Sequence, residues 1–101
     1  MSAIIAALLA AFGPMLAELL LNWLSSIFKK AEKNLAGRSF GSPAVAAVAL
    51  VDEAIRLTPK GAVGKRLLLR FIRNHAATVV QGFPLPAHAA DEIKDAAKLA
   101  K

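Results

Sequence analysis

Residues 3–28, AIIAALLAAFGPMLAELLLNWLSSIF, hold a single ionisable side chain, Glu18, in 26 positions. No other stretch constrains the fold as strongly, because a segment this apolar has to be covered by lipid, by another protein or by the rest of the chain. A membrane-spanning helix takes roughly 20 predominantly apolar residues, so the run is long enough to cross with some tilt. Trp23 near its end, and Lys29, Lys30 and Lys33 directly after it, have the placement of membrane-flanking anchors. Lysines mark the cytoplasmic side, which gives a spanning helix an N-out, C-in orientation, a membrane localisation and the lipid bilayer as a partner. A cleaved signal peptide fits the pattern less well, since no cation precedes the run and the run exceeds an ordinary h-region.

Two features cut against a simple span. Gly13-Pro14 interrupts the run, and proline breaks or kinks a helix outside its first turn. Glu18 puts a carboxylate near the middle, at a cost of roughly 3 kcal/mol on insertion scales. A helix counted from Pro14 instead aligns Glu18, Asn22, Ser25, Ser26, Lys29 and Lys33 on one face, with apolar side chains around the rest. In that reading Glu18 belongs to a polar stripe and is not an ion site. The alanines at 3, 7 and 11 and at 6 and 10 permit close helix–helix contact.

Past Phe28 the composition changes. The chain of 101 residues carries a formal charge of +6, with ten Lys/Arg against Glu32, Asp52 and Glu53 between 29 and 73, and three charges of each sign from 74 onward. Ser42-Pro43 is a helix start, an N-cap followed by a first-turn proline, and Thr58 before Pro59 is a stop. The pattern predicts helices over 43–57, 62–81 and 87–100, the last with a thin alanine-rich apolar stripe that implies weak docking. The expected fold is all-α with about four helices. The first is long, apolar, Gly-Pro kinked and open to spanning a membrane; the rest form a small bundle. Residues 1–33 read as an apolar membrane or oligomerisation unit, and 34–101 as a small basic helical domain with a polar C-terminal helix.

The chemistry-bearing residues are few. Without cysteine there are no disulfides or thiolate sites. His75 and His88 fall on different predicted helices, and neither has a second ligand at metal spacing, so no metal and no cofactor is expected. No phosphate loop, nucleophile elbow or acid–base pair is present, so no catalytic residue is assigned and the chain reads as non-enzymatic. The strongest lead is a basic stripe: Arg66, Arg70 and Arg73 at i, i+4 and i+7, with Lys65 beside them. Such a stripe suits phosphates of lipid head groups or nucleic acid. The competing reading is a solvated helix face paired with Asp52 and Glu53. Phe71, Asn74 and His75 are the only nearby groups that could address bases.

Three functional expectations follow. The first is a structural subunit of a larger membrane-associated assembly, such as a membrane complex or a phage virion, anchored by the apolar helix among other protein subunits of a homo- or hetero-oligomer. The second is a soluble helical oligomer that buries residues 3–28 and contacts nucleic acid through the arginine stripe. The third is a membrane-permeabilising protein of the holin or bacteriocin kind.

Overall fold

The computed structural model describes residues 2–101. The chain forms five helices, α1 (Ser2–Leu16), α2 (Leu21–Asn34), α3 (Pro43–Leu57), α4 (Val63–Val80) and α5 (Ala87–Ala100), with no strand among the described residues. The all-α expectation holds. The count of about four helices does not, because the apolar run is two helices rather than one.

The buried side chains explain the break. Leu8, Phe12, Leu16, Leu20, Leu24 and Phe28 recur every fourth residue and are all buried. An α-helix turns once in 3.6 residues, so a four-residue repeat drifts about 40° per step and about 200° over the five steps from Leu8 to Phe28. A single straight helix would carry one end of that stripe away from the core. The turn at 17–20 resets the phase. There the Leu19 and Leu20 amides donate to the Leu16 carbonyl at 3.0 and 2.9 Å, and Leu20 leaves helical geometry at φ −136°, ψ 6°. Gly13-Pro14 is therefore not the hinge; both lie inside α1, near its end. A Cβ on Gly13 would meet Leu21 Cδ1 at 3.3 Å, a measure of how closely the start of α2 packs on α1.

This division overturns the spanning helix. With 15 residues, α1 is about 22 Å long against a hydrocarbon core of about 30 Å. Among the described residues no helix is long and apolar enough to cross a membrane. The N-out, C-in orientation and the membrane placement that rested on a span are withdrawn with it.

The remaining helices follow their local signals. Ser42 caps α3, its Oγ accepting from the Val45 amide at 3.2 Å, with Pro43 in the first turn. Thr58 ends α3 in extended geometry, and its buried hydroxyl donates back to the Ala54 carbonyl at 2.8 Å. The end of α4 is a Schellman turn: Gly82 at φ +92°, its amide on the Val79 carbonyl at 3.1 Å, and the Phe83 amide on the Thr78 carbonyl at 3.2 Å. All five helices contribute to one core cluster, in which α5 places Ile93, Ala96, Ala97 and Ala100. The alanine-rich stripe of α5 docks closely rather than weakly. A Cβ on Gly64 would lie 2.6 Å from the Leu99 carbonyl oxygen, so α4 admits the end of α5 at backbone distance only because residue 64 is glycine.

Candidate functional site

The basic stripe of α4 does not stay together. Arg66 turns toward the end of α3, where its Nη1 donates to the Ile55 carbonyl at 3.1 Å and the Thr58 carbonyl at 3.0 Å. Both belong to the last turn of α3, where Ile55 also accepts the Thr58 amide and Thr58 has no backbone donor, and a cation there meets the negative end of the helix dipole. Arg73 binds the Asp52 carboxylate across the α3–α4 interface, which raises the pKa of its guanidinium through that hydrogen bond and the opposite charge. Lys65 leans over the Trp23 ring, its Nζ 5.1 Å from the ring centre, tying α4 to α2 by a cation–π contact. Arg70 alone of the four is exposed and has no polar partner among the described residues.

The pairing with Asp52 follows the solvated-face reading of the stripe. Glu53 instead accepts from Arg56 Nε of its own helix at 2.8 Å and from Asn34 Nδ2 of α2 at 3.0 Å. Arg56 first, then Asn34, pull its carboxyl down to about 2, against a smaller opposing effect of burial.

Lys60, which the helical spacing could not place, joins what is left of the stripe. It sits in the turn between α3 and α4, where the Ala62 amide donates to the Pro59 carbonyl at 3.0 Å. Lys60, Val63, Arg66, Leu67 and Arg70 line an open cleft of about 250 Å³ with no carboxylate in its wall. In the sequence Lys60 stands only as the middle residue of the Pro59-Lys60-Gly61 turn, ahead of α4 and outside its helical spacing.

A second surface lies on the outside of α1. Ala6, Ala10, Pro14 and Ala17 are exposed along it. Ala10 is a ridge between two grooves. One, of about 580 Å³, runs between α1 and α2 and is walled by Leu9, Gly13, Pro14 and Leu21. The other, of about 450 Å³, runs between α1 and the α4–α5 connector and is walled by Ala7, Ala11, Val79 and Phe83. Neither groove has a charged side chain in its wall. Phe83 stands at the rim, 62% exposed. In a Schellman turn the residue at this position ordinarily packs on the one five positions back. Here that residue is Thr78, itself exposed, so the usual apolar contact at that position is missing.

Of the remaining predicted positions, Lys29, Lys30 and Lys33 are exposed on α2, and Trp23 is half-buried beneath Lys65 instead of standing free as an anchor. Glu18 is exposed in the α1–α2 turn. His75 and His88, which the sequence separates, meet edge to face with ring centres 6.5 Å apart. No set of three or more potential metal ligands gathers among the described residues. Compared with family models, curated proteins and solved structures, the chain matches none.

Proposed function

We propose that this chain is a non-enzymatic assembly subunit that associates with a second copy of itself through the outer face of α1. The observation that carries the reading is the distribution of charge. The chain bears a net +6, yet α1, Ala17 and the two grooves beside them hold no charged side chain. On this face two copies meet without setting cation against cation, and like-charge contacts are what suppress association elsewhere on such a surface. The alanine ridge allows close backbone approach. The grooves on either side, with the exposed Phe83 ring at one rim, supply the knob and socket for a self-complementary two-fold contact.

Analytical ultracentrifugation of the full chain tests the proposal. The expected result is a reversible dimer, or a higher closed oligomer, at roughly micromolar concentration. Ala10→Glu, which puts a charge on an exposed ridge position and leaves the core alone, is expected to give a folded monomer by sedimentation and circular dichroism. Phe83→Ala is expected to weaken association about tenfold, the effect of losing one buried aromatic anchor. A wild-type chain that stays monomeric at roughly 100 µM, or an Ala10→Glu chain that associates as the wild type does, would overturn the reading.

A further inference from the structure

We infer that the Lys60–Arg66–Arg70 cleft binds the phosphate group of a small organic phosphate. The inference rests on how its cations are held. Arg56 and Arg73 are each bound to a carboxylate, which cancels their charge locally. Arg66 is held just as firmly, but by two neutral carbonyls. Its position is fixed and its charge is not cancelled. Both bonds use Nη1, so Nη2 and Nε keep three N–H donors with no partner among the described residues. Arg70, one turn further along the same helix, and Lys60, from the preceding turn, have no partner among the described residues either. Three cations around about 250 Å³ with no carboxylate in the wall suit a dianion better than a single carboxylate.

The rest of the wall is aliphatic. Val63, 69% exposed, and Leu67 stand beside the cations. An exposed valine gains from contact with the carbon skeleton of a ligand whose phosphate is anchored alongside. No aromatic ring lines the cleft, so it offers no platform for a stacked base. The next cation along α4 is Arg73, already bound to Asp52. The free charge of the stripe therefore stops at Arg70 and does not extend along α4 as a nucleic-acid backbone would require. No residue of the cleft lies in the α1 grooves, so this binding is independent of self-association.

The test is an amide-resolved NMR titration of the full chain at constant ionic strength, with inorganic phosphate, a hexose 6-phosphate and a short single-stranded oligonucleotide as separate probes. Saturable shifts confined to residues around 60–70 are expected at roughly millimolar phosphate, with the hexose phosphate binding several-fold more tightly because of Val63 and Leu67. Lys60→Ala and Arg70→Ala remove groups with no intramolecular polar contact, so both variants should fold, and each should weaken binding about tenfold. Lys94→Ala on α5 is expected to change nothing. The inference fails if phosphate causes no saturable shift by roughly 10 mM, if Lys94→Ala weakens binding as much as Lys60→Ala does, or if only the oligonucleotide binds.

Discussion

The α1–α2 and α3–α4 pairs are both two-helix units in one core, but they are held by different forces. In α1–α2 the buried side chains are Ile5, Leu8, Phe12, Leu16, Leu20, Leu24, Ile27, Phe28 and Ala31, all apolar, and the start of α2 has no side-chain cap. Among the described residues no side-chain hydrogen bond or ion pair joins α1 to α2; the polar contacts of α2 are Lys65 over Trp23 and Asn34 on Glu53, and both reach to other helices. The α3–α4 pair also buries an apolar face, and adds Ser42 at one end, Arg66 on the Ile55 and Thr58 carbonyls at the other, and Arg73 on Asp52 between them. One pair is positioned by shape and burial alone; the other also has directional contacts that fix its register. The uncharged outer face of α1 is the counterpart of this: a helix with no charged group to position it also has none to keep a second copy away.

The contrast is broken or upheld first by core truncation. Phe12 is fully buried and lies in α1, where nothing but packing is available. Phe12→Ala is expected to cost about 3–5 kcal/mol in urea-induced unfolding, with no dependence on salt. A loss under about 1 kcal/mol would mean that α1 packs on the bundle without stabilising it. In the other pair the comparable experiment is polar. Arg66→Met keeps the apolar stem and removes the donor, leaving the Thr58 carbonyl without a partner and the Ile55 carbonyl with the Thr58 amide alone. The expected cost is about 1–3 kcal/mol, with hydrogen exchange speeding up in the last turn of α3 before it does elsewhere. Ser42→Ala is smaller again, about 1 kcal/mol, because it removes one cap and leaves Pro43 in place to start the helix.

The same division decides what the sequence discloses. The limits of α3 and the end of α4 were legible because they are written in local chemistry: Ser42-Pro43, Thr58-Pro59 and Gly82 each act on the residues beside them. The turn at 17–20 has no such marker. It has no cap and no glycine, and the one conspicuous signal nearby, Gly13-Pro14, lies inside α1. What does encode the break is the four-residue repeat of Leu8 to Phe28, a nonlocal signal that has meaning only if the whole stripe must face a single core. Gly64 is a similar case. A glycine inside a predicted helix signals a close approach, but nothing local says that the end of α5 is what approaches. At the cleft, helical spacing placed Arg66, Arg70 and Arg73 on one face. It could not show that Asp52 takes Arg73, that Trp23 takes Lys65, or that Lys60 joins from the turn, because each of these contacts crosses between elements.

The smallest expected effect sharpens the comparison furthest, because it is electrostatic and has no counterpart in α1–α2. The Glu53 carboxyl is held down at about 2, chiefly by Arg56 and next by Asn34, whereas in the unfolded chain it titrates near 4.5. A carboxylate whose folded pKa is depressed stabilises fully above its unfolded value, and that contribution is lost as pH falls toward the folded value. Glu53→Gln should therefore lower the urea midpoint slightly near pH 7. The gap between variant and wild type should then close as pH falls from about 4.5 to about 2, and should narrow in roughly 1 M salt, because Arg56 is exposed to solvent. Across the same pH and salt range the deficit of Phe12→Ala should stay constant, since no titrating group takes part in that contact. A Glu53→Gln gap that does not close on acidification would place its origin in packing, and a Phe12→Ala deficit that moves with pH would mean that α1–α2 depends on a charge after all.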